Sequence, residues 1–149
     1  FFELTALRGK IVLVFFGYTS CPDVCPTTLS DMKRVKADLG ENAEMVDFVF
    51  ITVDPQRDTP ERAQAYVSGF DQAFIGLSGS ETDLEPVWQE YGVYRKIQES
   101  QSAAGYLVDH SARVYLVDKA NRLRLTYAYG TPVEDIANDI RFLLKEQIK

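Results

Sequence analysis

Few residues of this 149-residue chain could do chemistry beyond acid–base work: two cysteines, one histidine and two methionines. Cys21 and Cys25 are separated by three residues in Tyr18-Thr-Ser-Cys-Pro-Asp-Val-Cys-Pro26, and each precedes a proline. Proline disfavours helical geometry in the residue before it. Cys21-Pro22-Asp23-Val24 fits a type I turn with proline in its second position. Such a turn folds the chain back, and the two Cα atoms could then lie within the roughly 4.4–6.8 Å that a disulfide spans. The same approach would let both sulfurs clamp one metal ion. Pro26 suits the first position of a following helix, so Cys25 is expected at a helix N-terminus, where the dipole favours thiolate. Asp23 opposes this, because one negative charge disfavours a second. The competing reading is a pair of buried, inert cysteines. The flanking prolines and the close spacing argue against it, while three intervening residues rather than two argue against an ordinary disulfide oxidoreductase.

His110 lies in Tyr106-Leu-Val-Asp-His-Ser-Ala112. A single histidine is more often a structural residue than a ligand. If it faces the two sulfurs, the set becomes Cys₂His, which suits soft or borderline metals. Copper fits as Cu(I) through sulfur softness, or as Cu(II) with added oxygen ligands. Zinc with an open fourth position is the rival. Met32 and Met45 are further sulfur donors, but Met32 falls on an apolar helix face and reads as core.

These residues must be positioned by a fold, and the hydropathy pattern outlines one. Ile11–Phe16 and Phe48–Val53 are apolar runs rich in β-branched and aromatic residues, expected as buried strands. Between them, Leu29, Met32, Val35, Lys36 and Leu39 are spaced as one helix face within Thr27–Leu39, and Gly40 is a stop. Thr59-Pro60 opens a helix to about Ser68, with a hydroxyl cap and proline at the first position. Phe74–Leu77 is expected as a third strand, and Asp83–Tyr91 as a helix capped near Thr82 or Asp83. Tyr94–Ile97 and Tyr106–Val108 are short strand candidates. Arg113–Val117 and Leu123–Tyr129 alternate around Asp118-Lys-Ala-Asn121 as a hairpin. Thr131-Pro132 opens a last helix with Val133, Ile136, Ala137, Ile140, Leu143 and Leu144 on its apolar face.

Strands separated by helices, then a hairpin and a final helix, imply an α/β fold with a mixed central sheet flanked by helices. Residues 1–149 are expected to form one domain. By analogy the architecture is thioredoxin-like. In that layout the segment carrying His110 leads into a strand beside Ile11–Phe16, close to the cysteine loop. Thioredoxin-like redox enzymes usually carry a proline at about this place, and none of the six prolines here (22, 26, 55, 60, 86 and 132) is available for it.

Lys and Arg number 16 against 22 Asp and Glu, a formal charge of −6, with 46% of residues hydrophobic. That composition excludes a disordered or collagen-like chain. Without a basic block, nucleic acid and anionic membranes are poor partners. The longest apolar stretch is far too short to cross a bilayer.

Gly9-Lys-Ile-Val-Leu-Val-Phe-Phe-Gly-Tyr-Thr-Ser-Cys-Pro-Asp-Val-Cys-Pro26, Val53-Asp-Pro-Gln-Arg-Asp-Thr-Pro60 and Val108-Asp-His-Ser111 together resemble the Sco (SenC) family over nearly the whole chain. The resemblance implies a thioredoxin-like copper protein that helps assemble the dinuclear copper centre of cytochrome c oxidase. It maps the copper ligands onto Cys21, Cys25 and His110, and places Asp54 near the site; the plain alternative for Asp54 is a turn residue before Pro55. Arg57 and Asp58 are expected to brace that loop. Tyr18 and Asp23 could shape the site or a docking surface. Ser20 stands where many relatives carry a larger or charged residue. The family's N-terminal membrane anchor and leading hairpin are expected to lie outside this chain.

Three functions follow. The first is a copper metallochaperone, whose partners are the copper-bearing subunit of cytochrome c oxidase and a further copper chaperone as donor. The second is a thiol–disulfide reductase acting on the acceptor's cysteines, needing Cys21 and Cys25 but not His110. The third is a copper or redox sensor. An enzyme in the ordinary sense is expected only under the second. A managed dithiol implies an extracytoplasmic setting: the periplasmic side of a bacterial inner membrane is favoured over the mitochondrial intermembrane space.

Overall fold

The computed structural model describes residues 9–21, 24–93, 95–98, 107–110 and 112–146, with backbone alone at 95, 98 and 107–110. Strand β1 (Ile11–Gly17) is buried along its entire length, which is why its sequence is an unbroken apolar run rather than an alternating one. It lies at the centre of a five-stranded sheet with β2 (Val46–Thr52), β3 (Ile75–Leu77), β6 (Val114–Val117) and β7 (Leu123–Tyr127), in the order β3-β2-β1-β6-β7. The β1, β2 and β3 strands are parallel, β6 runs antiparallel to β1, and β7 antiparallel to β6. Register is set by Val14↔Val49 on one side of β1 and Val14↔Tyr115 on the other. A separate antiparallel pair joins β4 (Arg95–Gln98) to β5 (Leu107–His110). The two short candidates of the sequence are therefore partners of one another.

The steps from β1 to β2 to β3 run in one direction, so right-handed crossovers lay helices α1 (Val24–Leu39) and α2 (Pro60–Ser68) on the same face. The Tyr66 ring of α2 meets Phe50 of β2 at 5.8 Å on that face. Helix α4 (Val133–Leu144) packs beside α1 and buries Ile136, Ala137, Ile140 and Leu143. Helix α3 (Glu81–Glu90) covers the opposite face. There Trp88 donates its indole N–H to Thr52 O at 3.1 Å, and Phe16, Tyr91 and Tyr115 meet at 5.4–5.5 Å between ring centroids. This is the mixed sheet between helices that the sequence implies, and its architecture is thioredoxin-like.

Several expected boundaries move. Helix α1 begins at Val24, not after Pro26, so Cys25 sits inside its first turn. Its buried stripe is Leu29, Met32, Val35 and Leu39; Lys36 leaves it to pair with Asp71 at 2.9 Å. The helix stops at Gly40, whose φ of 59° is left-handed, and a 3-10 turn over Gly40–Met45 leads into β2. Thr59 caps α2 as expected, accepting from Arg62 N at 3.1 Å. The cap of α3 is Ser80, which accepts from Asp83 N at 3.1 Å, so neither Thr82 nor Asp83 fills that role. The β6–β7 turn is organised by Asp118, whose carboxylate accepts from Ala120 N and Arg122 N at 2.9 Å each. No helix among the described residues is long and apolar enough to cross a membrane.

Candidate dithiol and metal centre

The loop after β1 is held to its neighbours before it reaches the first cysteine. Val53 N donates to Gly17 O at 2.7 Å, locking the ends of β1 and β2 together. The loop then turns at Tyr18, whose carbonyl accepts from Cys21 N at 3.1 Å. This places Cys21 at the mouth of α1, where its sulfur accepts the Cys25 backbone N–H at 3.4 Å. Cys25 N–H is one of the helix donors without an intrahelical acceptor. The benefit of the helix N-terminus, expected for Cys25, thus falls on the sulfur of Cys21. No disulfide joins the two cysteines. Cys21 is half-buried and Cys25 wholly buried, so a partner's sulfur or a metal meets Cys21 first.

Burial pushes the Cys25 thiol far above the usual range, and the hydrogen bond and charge of Cys21 push it the same way. Cys25 therefore stays protonated until something replaces its proton, which a soft metal ion does on binding. Gly17 makes room for that sulfur: a Cβ there would stand 2.7 Å from Cys25 Sγ.

Asp54 is wholly buried at the end of β2 and accepts from Arg57 Nε at 2.5 Å. The Arg57 guanidinium lies 5.7 Å from the centroid of the Tyr18 ring, which is itself buried. The chain Asp54–Arg57–Tyr18 thus joins the β2 loop to the cysteine loop, and Arg57 braces its loop as expected. Asp58 does more than that: its buried carboxylate accepts from Thr19 N at 3.0 Å, Thr19 Oγ1 at 2.6 Å and Thr52 Oγ1 at 2.7 Å. From α2, Arg62 Nε donates to Thr19 Oγ1 at 2.8 Å. Sequence reasoning passed over Thr19 and Arg62. The available signal was Arg62 standing one helical turn after an acidic residue beside the Thr59 cap.

Asp23 lies outside the described residues. So does the imidazole of His110, though its backbone ends β5 opposite Arg95. Because β6 is antiparallel to β1, with Val114 opposite Phe15, the chain enters β6 at the sheet end from which the cysteine loop leaves. Three residues separate His110 from Val114, so their Cα atoms, four steps apart, lie within about 14 Å. Among the described residues no three His, Cys, Asp or Glu side chains gather as a metal site. Met32 is core, and Met45 is exposed away from the cysteines on the 3-10 turn.

A close cysteine pair on the strand-to-helix loop of a thioredoxin-like sheet defines a class of thiol-bearing proteins. The SCO1/SenC family model matches residues 2–145, and the chain belongs to that family. ScoI of Bradyrhizobium japonicum, solved with copper bound, is 39% identical, with a TM-score of 0.85 over 94% of this chain and 88% of that one. Yeast Sco1 with copper bound is 28% identical, with a TM-score of 0.86 over 99% of this chain and 82% of that one. The SCO2-like protein RP587 of Rickettsia prowazekii is 40% identical over 122 residues, which are 81% of this chain and 60% of that protein. The chain thus spans about three fifths of that relative's length.

Proposed function

We propose that this protein captures copper as cargo between the sulfurs of Cys21 and Cys25 and the imidazole of His110. It passes the ion to the copper-bearing subunit of cytochrome c oxidase during assembly of the dinuclear copper centre. The observation that carries this reading is the closeness of the pair, with Cys21 Sγ accepting the Cys25 N–H at 3.4 Å. Two soft donors held close together, one of them wholly buried, suit copper, with zinc as the competitor. The copper-bound ScoI and yeast Sco1 structures support the choice of metal. Asp54, Asp23 and Tyr18 support the site rather than ligate. The setting is extracytoplasmic, on the periplasmic side of a bacterial inner membrane.

One observation favours a second reading, thiol–disulfide reduction. The half-buried Cys21 lies above the buried Cys25, which is the order required for an attacking and a resolving sulfur. Titration of Cu(I) and Cu(II) into the reduced protein and into His110→Ala separates the two. The reduced protein should bind about one ion, and His110→Ala should bind far more weakly while still forming its disulfide. Unchanged copper affinity in that variant refutes the three-donor site. Mixing with an apo oxidase copper domain then reads whether metal or electrons move.

A further inference from the structure

Thr19, two residues before Cys21, is gripped from two sides. Its backbone N–H and its hydroxyl both donate to Asp58, at 3.0 and 2.6 Å, and the same hydroxyl oxygen accepts from Arg62 Nε at 2.8 Å. Arg62 Nη2 reaches the next residue, donating to Ser20 Oγ at 3.3 Å. Asp58 is itself immobilised: it is wholly buried, it accepts from Thr52 Oγ1 at 2.7 Å, its N–H donates to Asp54 O at 2.9 Å, and its carbonyl accepts from the Ser78 hydroxyl. The grip therefore runs from the end of β2 and the first turn of α2 onto the last residues before the first cysteine. A buried carboxylate surrounded by donors is costly to disturb, so the loop is held before any partner arrives.

We propose that Thr19, Asp58 and Arg62 are positioning residues that hold Cys21 over the mouth of α1 and so raise the effective concentration of its sulfur at Cys25. They act through the loop. Holding two groups in place converts entropy otherwise lost on their union into a prior cost of folding. The clamp thus favours every product that needs both sulfurs together, the intramolecular disulfide included. This rests on reading Cys21 and Cys25 as a working pair, but not on copper.

The test uses oxidised glutathione and no metal. Two protein thiols and one oxidised glutathione give the Cys21–Cys25 disulfide and two reduced glutathiones. One S–S bond breaks and one forms, and the two protons and two electrons of the protein thiols pass to the glutathione sulfurs. Thr19→Val keeps the branched shape without the hydroxyl, and Thr19→Ser keeps the hydroxyl. Thr19→Val should lower the equilibrium constant for the protein disulfide roughly three- to tenfold, the scale of about one net hydrogen bond. Thr19→Ser should stay near wild type. Arg62→Met, altering a half-exposed side chain, should shift the constant in the same direction and decides the matter if Thr19→Val fails to fold. Folded variants with an unchanged constant, or equal shifts in the Val and Ser variants, overturn the proposal. Because copper is absent, that failure leaves the copper reading standing, and failure of the His110→Ala titration leaves the clamp standing.

Discussion

Replacing Gly17 by alanine tests whether the end of β1 is glycine because a sulfur occupies the space. An added Cβ would lie 2.7 Å from Cys25 Sγ, 2.8 Å from a ring carbon of Phe15 and 3.0 Å from one of Phe50. Favourable carbon contacts lie near 3.5–4.0 Å, so each neighbour would have to give by about half an ångström or more. None can do so cheaply: Phe15 and Cys25 have no exposed surface and Phe50 has 1%. The backbone is equally fixed, since Gly17 pairs with Thr52 and its carbonyl accepts from Val53 N at 2.7 Å. Overpacking of this kind costs about 1–3 kcal/mol, and each kcal/mol lowers Tm by about 2–4 °C in a protein of this size. Thermal and urea unfolding of Gly17→Ala, Cys25→Ala and the double variant measure it. Removing the sulfur should relieve part of the clash, leaving a coupling of at least about 0.5 kcal/mol between the two sites. A Gly17→Ala protein as stable as wild type, or one equally destabilised in both backgrounds, would refute the reasoning.

Other outcomes follow from buried polar groups. Burial alone would raise the Asp118 carboxyl, but the N–H groups of Arg122 and Ala120 and the Arg124 guanidinium hold it below the usual carboxylate range. A carboxyl lowered on folding contributes stability above its unfolded value of about 3.9, and that stability is lost as pH falls through the lower folded value. Asp118→Asn should therefore unfold at lower urea at pH 7 and lose less stability on acidification; parallel acid limbs would contradict this. Tyr66 packs its ring against Phe50 and Phe70 at 5.8 and 5.6 Å while its buried hydroxyl has no partner among the described residues. Tyr66→Phe keeps the ring and removes that uncompensated group, so urea unfolding should show stability held or raised by up to about 1 kcal/mol. A loss of that size would mean the hydroxyl is bonded in solution.

Elements whose signal is local were readable in the chain. The unbroken apolar runs of β1 and β2, the Thr59-Pro60 start of α2 and the Asp118 turn all follow from short-range preferences, and each lies where expected. The start of α1 misled because Pro26 is acceptable throughout the first turn, where amide hydrogens have no intrahelical acceptor anyway. Ser80 was overlooked because Thr82 and Asp83 are equally good caps in isolation, and only the fold decides which residue leaves the helical path. The β4–β5 pairing joins consecutive strands, from Gln98↔Leu107 to Arg95↔His110, whose four-residue runs carry too few apolar residues to announce it. At the centre, the cysteine pair was legible from spacing and prolines, whereas Arg62 reaching across 43 positions to Thr19 was not. Local pattern names the sulfurs, and tertiary structure supplies what holds them.

Strand β7 has consequences for behaviour at high concentration. Among the described residues it lies at the sheet border with β6 as its neighbour, and four of its five residues are exposed, including Leu123 and Leu125. An open ladder with greasy side chains invites another copy to add its own border strand, the first step of polymerisation. Arg122 and Arg124 stand at that border, and Arg124 is tethered to Asp118 at 3.1 Å and Glu146 at 2.6 Å. A second molecule docking in register would bring like guanidinium charges together, and the pairing irregularity between Leu116 and Val117 twists the border away from a flat match. The two arginines thus place positive charge along the border, which disfavours the addition of a second strand there.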